Sequence, residues 1–307
     1  VNSGTAALHL ALSVVDIRNK EVILPSLSFV TTAHAIIYNG GIPRFVDINP
    51  ETLCIDETLL ENSITNKTKM ILPVHFAGTA CNMKKIQKIC KKNGLALIED
   101  AAHAIGTSYD DKKIGTHGDL VCFSFHPTKN LPTPSGGAIT INTKNHNELS
   151  NELFSKRWCG ISNRKKFSYD IEKIGWNYYM NQFSAAIGIE QLKKLDTQIK
   201  KRRKNAKRYS QELNVNSKMR FDKDCGYHFY WICIKNRENI MKKLAEFGIE
   251  TGIHYNPIHK MNFYKNSKVN LPITENITKS IISIPCHPNL TENDISFIIK
   301  KINHLTK

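Results

Sequence analysis

Three short stretches hold residue types that could act together. The run "LVCFSFHPTKNLPTPSGGAITI" (120–141) sets one lysine, Lys129, between two apolar segments and follows it with Gly136-Gly137. Read alone, a loop lysine is a solvated surface charge. It becomes a nucleophile or proton carrier only where its site lowers its pKa. The stretch "IEDAAHA" (98–104) closes an apolar run with Asp100 and His103. A carboxylate there is costly to bury unless it meets a cation, and on its own it is equally a structural hydrogen-bonding residue. The third stretch, "NSGT" (2–5), precedes a helical run. Small residues at a helix start suit a phosphate, although the same residues also make a plain helix cap.

Taken together, the three suit one ligand. A phosphate site at a helix start, a carboxylate to keep a ring nitrogen protonated and a lysine for a Schiff base are the parts that bind pyridoxal phosphate. Ser124 also follows a strand-like run close to Lys129. The glycine pair would let the backbone pass close to the cofactor, or merely form a turn before "AITI".

These residues need elements to hold them. Residues 1 to about 142 alternate helical and strand-like segments: "TAALHLALSVV", "EVILP", "FVTTAHAIIYN", "PRFVDI", a polar helix near 56–64, "KMILPV", a helix from Asn82, and "LALIED". Such alternation predicts a mainly parallel sheet covered on both faces, with ligands beyond the carboxyl ends of its strands. In the helix from Asn82, Met83, Ile86, Ile89 and Cys90 share a face, Asn82 can cap the start, and "KKNG" stops it. Beyond 142 we expect a helix near 146–157, a loop rich in Lys, Ser and Asn, and a long helix over about 182–212. A small α+β region then closes on "TENDISFIIKKINHL", where Thr291 and Asp294 resemble a capping box.

The bulk numbers narrow the class. The chain has 307 residues, 41% of them hydrophobic, and a formal charge of +16. That supports a real core, and the charge would attract anions. The densest basic run, "KKLDTQIKKRRKNAKR", reads as a solvated helix face; no aromatics interleave it, so nucleic acid is not an expected partner. No stretch approaches the roughly 18 apolar residues of a membrane helix, and a cytoplasmic location with no membrane partner is expected. Eight scattered cysteines without a CxxC pair suggest buried thiols, and no metal site is expected.

The sequence resembles the DegT/StrS-type sugar aminotransferases, pyridoxal-phosphate enzymes with the aspartate-aminotransferase fold. The likeness runs in order through "NSGTAAL", "PSLSFVTTAHAI", "PRFVDINPETLCID", "ILPVHFAG", "IEDAAHAIG", "GDLVCFSFHPTKNL", "AAIGIEQL", "TGIHYNPIH" and "IPCHPNLTENDI". It implies a large cofactor-binding domain over 1–195, which in the family follows an additional N-terminal segment, and a linking helix with a small C-terminal α+β domain over 196–307. It also implies that Lys129 carries the Schiff base and moves the proton, that Asp100 pairs with the pyridine nitrogen, and that His103 lies by the ring and its hydroxyl. Phe29 would stack on the ring, where composition alone suggests an ordinary core phenylalanine. Gly4, Thr5 and Ser124 would hold the phosphate. Asn177 would reach the phosphate of a neighbouring subunit in a homodimer with shared active sites. His254, Tyr255 and His259 would lie near a nucleotide sugar.

The implied reaction moves an amino group, with L-glutamate as donor, to a keto group of a nucleotide-linked sugar, in polysaccharide or related biosynthesis. Lysine rather than histidine at position 129 favours amination over dehydration. The loop "KNLPTPSGG" departs from the family's usual "KNLTTGEGG". That departure motivates the competing expectation of a catalytically idle or regulatory member that still binds the cofactor.

Overall fold

The computed structural model describes residues 1–306. The first half alternates helix and strand: α1 (Gly4–Leu12), β1 (Glu21–Pro25), α2 (Thr31–Tyr38), β2 (Ile42–Val46), the single turn α3 (Leu60–Ser63), β3 (Thr68–Ile71), α4 (Met83–Asn93) and β4 (Ala96–Asp100). Two two-residue strands, β5 (Ser108–Tyr109) and β6 (Lys112–Lys113), precede β7 (Leu120–Ser124) and β8 (Gly137–Ile141). The polar helix expected near 56–64 shrinks to α3. Only Leu60 of that helix is buried, and Asp56 uses its carboxylate to hold the Thr58 N–H in a turn instead.

The main sheet has the order β2-β1-β3-β4-β7-β8. Its first four pairings are parallel, so the carboxyl ends of β1, β3, β4 and β7 share one edge. Strand β8 runs antiparallel to β7, with Ser124 opposite Gly137. It therefore begins at the edge where the others finish. This reversal places Gly136-Gly137 beside the residues that follow β7. A Cβ on Gly137 would come within 2.6 Å of both the Phe123 and Ser3 carbonyl oxygens. Only glycine lets three backbone segments meet there.

Helix α4 forms as its sequence predicts. The Asn82 side chain accepts from the Lys85 N–H, Gly94 ends the helix at φ +61°, and Met83, Ile86 and Cys90 are buried while Ile89 is half-buried. After α5 (His146–Lys156) the expected loop contains a hairpin, β9 (Ile161–Lys165) with β10 (Ser168–Ile171). All of β10 is exposed, so no alternation of apolar and polar residues announces it.

Helix α6 (Gln182–Glu212) is continuous over 31 residues, starting from an Asn181 cap. Its second half buries Leu195, Ile199, Arg202, Asn205, Ala206 and Tyr209, at helical spacing. Beyond it lie β11 (Ser217–Lys218), β12 (Tyr230–Cys233), α7 (Arg237–Glu246), α8 (Pro272–Ile277), β13 (Ile281–Ile284) and α9 (Glu292–Leu305). Strands β11-β12-β13 form an antiparallel sheet. Helix α9 opens with the expected capping box between Thr291 and Asp294 and buries Ile295, Ile298, Ile299 and Ile302. One apolar cluster joins Ile23, Ile71 and Phe76 near the main sheet to Tyr209, Trp231 and Ile282. All eight cysteines are free, and most are buried.

Replacing Gly137 by alanine should force a backbone shift at the sheet edge. The expected loss is about 1–3 kcal/mol of stability, read as a lower urea midpoint at unchanged slope.

Candidate active site

Beyond the carboxyl edge of the main sheet lies a cavity of about 350 Å³. Its lining includes Ser3, Gly4 and Thr5 from the start of α1, Ser28 and Phe29 after β1, Asp100 and His103 after β4, and Ser124 and Lys129 after β7. Residues 254 and 255, from the C-terminal part of the chain, complete the wall. Nine of the residues expected at a site come together here: Lys129, Gly4, Thr5, Phe29, Asp100, His103, Ser124, His254 and Tyr255.

Asp100 is 5% exposed. Its Oδ2 accepts from the Thr32 hydroxyl at 2.7 Å, and its Oδ1 accepts from the Ala102 N–H at 3.1 Å. Burial pushes its pKa up, while these two hydrogen bonds and the Lys129 charge oppose the rise. The Ser28 hydroxyl lies 2.7 Å from that of Thr32 and extends the chain of hydrogen bonds.

The His103 ring has an assignable tautomer. Its Nδ1 lies 3.3 Å from the Ala77 N–H, which can only donate. The ring proton is therefore on Nε2, which donates to the Tyr255 hydroxyl oxygen at 3.0 Å. Tyr255 keeps its own proton to donate elsewhere, and burial raises its pKa. Burial, aided by the Lys129 charge, lowers the His103 pKa well below its usual value, so the ring is neutral.

Lys129 sits in a turn whose N–H donates to the His126 carbonyl at 2.8 Å. Burial lowers its pKa to about 8 against the opposing pull of Asp100. About a tenth of the amine is then neutral at pH 7. The Nζ lies 3.3 Å from Nε2 of His228, a residue that sequence reasoning missed because it sits in the apolar run "YHFYWICIK". A polar ring inside such a run was the available signal. Thr32 and Ser28 were missed as well, since hydroxyls near a strand end are common.

The start of α1 forms a cradle. The Ser3 side chain accepts from the Ala6 N–H, and among the described residues the Gly4 and Thr5 N–H groups have no partner. A Cβ on Gly4 would come within 2.7 Å of the Ser124 Cβ, so glycine is what lets the helix start close on Ser124. Phe29 is 53% exposed, at a centroid distance of 5.9 Å from Tyr255. It is a wall of the cavity and not the ordinary core phenylalanine that composition suggests. His254 stacks on Phe229 at 4.6 Å, and its Nδ1 is 2.8 Å from the Ser283 hydroxyl. Burial lowers the pKa of His254 to about 4.

Two expected residues lie outside the cavity. His259, expected near a substrate, is 3% exposed, with its ring nitrogens 2.7 Å from the Ser26 Oγ and 3.2 Å from Glu275. Both nitrogens are thus committed to protein partners, which makes it a structural histidine. Asn177 is exposed, and its carbonyl accepts from the Asn2 side chain at 3.2 Å. A larger open groove of about 1550 Å³, lined by Tyr179 and Met180 but not by Asn177, is formed by α5, the β9–β10 hairpin and the start of α6. No cluster of His, Cys, Asp and Glu suited to a metal occurs among the described residues.

Comparison with known proteins gives this geometry its context. The profile of the DegT/DnrJ/EryC1/StrS aminotransferase family matches residues 1–303. The chain belongs to that family. It is 35% identical to GDP-perosamine synthase of Escherichia coli O157:H7, over 99% of this chain and 84% of that protein. It is 33% identical to UDP-4-amino-4,6-dideoxy-N-acetyl-beta-L-altrosamine transaminase of Campylobacter jejuni, over 97% and 82% respectively. The fold superposes on the PLP-form of Spr1654, a proposed sugar aminotransferase of Streptococcus pneumoniae, with a TM-score of 0.93 at 26% identity, covering 99% of this chain and 86% of that one.

Members of this family are aminotransferases that depend on pyridoxal 5′-phosphate. The residues present fit that group. Free N–H donors stand at one end of the cavity, where a glycine keeps room for them, and a buried carboxylate and a pKa-depressed amine stand beyond.

The buried neutral histidines predict a stability profile. A histidine whose folded pKa is depressed binds fewer protons folded than unfolded below about pH 6.5, so stability is full above that pH and falls as pH decreases toward the folded value. Without cofactor, stability should fall as the pH drops from about 6.5, the ordinary histidine value, because unfolding lets His103 take up the proton that burial denies it. Urea midpoints measured below that pH should fall less steeply in His103→Gln.

Proposed function

We propose that this enzyme moves an amino group from L-glutamate to a keto group of a nucleotide-linked sugar. The observation that carries the reading is one cavity holding Lys129 and Asp100 together with an anion-receptive helix start. The printed names of a GDP-sugar and a UDP-sugar relative support the substrate class. A formal charge of +16 favours capture of a diphosphate.

Bound pyridoxal phosphate supplies an electron sink beside the carbon that loses its proton, and a carbonyl carbon that carries nitrogen from donor to acceptor. The chain's residues do the rest. The Gly4 and Thr5 N–H groups and the Ser124 hydroxyl hold the phosphate. Asp100, fixed by Thr32 and Ala102, would pair with the ring nitrogen and favour its protonated form. Phe29 would cover one ring face, and His103 would stand by the ring and its hydroxyl, both lining the same cavity.

Lys129 would hold the cofactor through its Nζ and, when free, would carry the transferred proton at that atom. Its lowered pKa keeps part of the amine unprotonated, as a base requires. The Tyr255 hydroxyl, relieved of donating to His103, can donate to the substrate. His254 borders the same space for the sugar nucleotide.

Borohydride added to the yellow protein should fix the cofactor on Lys129, located by peptide mass spectrometry. Lys129→Ala should lower amino transfer by 10³-fold or more, on the order expected for loss of the proton-transferring group. Glutamate alone should convert the bound cofactor to its pyridoxamine form. A yellow protein that no amino donor converts would instead support an idle, cofactor-binding role, the reading motivated by Pro134 and Ser135 at the cavity wall.

We further propose a cytoplasmic homodimer with shared active sites, and a domain boundary near residue 195. Phe183, Ile189 and Leu192 on α6 are 84%, 59% and 58% exposed, and Phe167 on the neighbouring hairpin turn is 92% exposed. Apolar exposure on this scale favours a second copy as its cover. Asn177, exposed shortly before the Asn181 cap of α6, would reach the partner's phosphate. Sedimentation should give twice the chain mass. Phe183→Glu with Leu192→Glu should give monomers that bind the cofactor at least tenfold more weakly, about 1.4 kcal/mol.

A further inference from the structure

We propose that His228 is the positioning residue for the reacting amine: its Nε2 accepts a hydrogen bond from Lys129 Nζ and sets where that group stands whenever it is not covalently engaged. The inference rests on the reading of Lys129 as the reactive amine, which borohydride trapping tests separately.

The contact is 3.3 Å, and the backbone on both sides of it is anchored. The His228 N–H donates to the Ala77 carbonyl at 2.9 Å. The His228 carbonyl accepts from the buried Arg202 guanidinium at 3.1 Å, which also reaches the Tyr227 carbonyl at 3.1 Å and that of Cys286 at 3.3 Å. The neighbour of the lysine, Asn130, donates its side-chain amide to the Gly226 carbonyl at 2.8 Å. Residues 129 and 130 therefore both reach the same anchored segment, one through the reacting amine and one through an amide that fixes the register.

The chemistry of the ring argues against simple packing. It lies 4.6 Å from the His103 ring and 5.3 Å from Phe229, a setting that an apolar ring would fill. Its Nδ1 is buried with no partner among the described residues. A buried polar atom without a partner is a cost that a phenylalanine would avoid. The other nitrogen explains why the cost is borne. With its proton on Nδ1, the ring offers the Nε2 lone pair to the lysine.

A neutral acceptor suits this amine. The groups facing Lys129 are Asp100 beyond β4, His103 beside it, His228, His126 from the same turn, and His254 with Tyr255 from the C-terminal wall. Asp100 is the carboxylate lining the cavity among the described residues. A full ion pair with Asp100 would hold the lysine charged and occupy the carboxylate. Attachment to His228 holds Nζ in a fixed place without a second negative charge, and leaves the amine able to give up its proton.

The test reads the proton affinity of Lys129 rather than turnover. The full chain is trace-labelled with acetic anhydride from about pH 6 to about pH 10, both loaded with pyridoxamine 5′-phosphate, which leaves the lysine amine free, and without cofactor. Modification of the Lys129 peptide is quantified by mass spectrometry. Without cofactor, the wild-type midpoint is expected near about 8. His228→Phe removes the acceptor, so the midpoint should fall by about one pH unit, a tenfold change in the neutral-to-charged ratio. His228→Gln places an amide near the Nε2 position and should restore the wild-type midpoint. A folded His228→Phe protein with an unchanged midpoint overturns the proposal. So does a His228→Gln protein that shifts as far as His228→Phe, because ring packing would then be what matters. Should His228→Phe fail to fold, His228→Asn replaces it, since its shorter amide stops short of Nζ and the same two outcomes apply.

Discussion

The structure depends on one electrostatic constraint: an acid and an amine withdrawn from water into the same small cavity. Asp100 and Lys129 each lose solvation there, and burial pushes the carboxyl up and the amine down. Their mutual attraction opposes both shifts without cancelling them. Such a balance needs walls that do not yield. The Thr32 and Ala102 donors hold the acid, and the turn after β7 holds the lysine's backbone. Those walls are the carboxyl ends of parallel strands, whose geometry is fixed by the sheet and not by the loops.

Much of the fold was legible because its signals are local. The parallel strands read as apolar runs bounded by polar ends, α4 carried its cap and its glycine stop, and α9 its capping box. The hairpin β9–β10 was illegible because it buries nothing, and a strand without a buried face has no alternating pattern. The supposed helix near 56–64 failed for a related reason. Polar residues there meet helix propensity, but side-chain hydrogen bonds from Asp56 compete for the same backbone groups.

The cavity was legible to the extent that its residues follow strands. Lys129 and Asp100 were found that way, and the α1 start by the small residues that precede its helical run. His228 was not, since nothing in the sequence links position 228 to position 129 except the folded chain. His259 shows the opposite error: its motif pointed to a ligand, yet the Ser26 hydroxyl and Glu275 claim both ring nitrogens. Phe29 was ambiguous by composition, and only its exposure in the cavity wall separates it from the core phenylalanines. A single side chain's role depends on partners that lie far away in sequence.

Helix α6 ties the two ends of the molecule together. Its first turns expose Phe183, and nineteen residues later Arg202 grips the backbone that carries His228. At 1.5 Å per residue the 31-residue helix is a rod of roughly 46 Å with no joint in it. Inserting one residue between Leu192 and Leu195 would turn everything beyond by about 100°. Arg202 would swing away from its carbonyls while the exposed apolar face stayed where it was. The length of this helix is therefore a conserved quantity in the mechanical sense: loops elsewhere can gain or lose residues, whereas this segment can change only in steps that restore its phase.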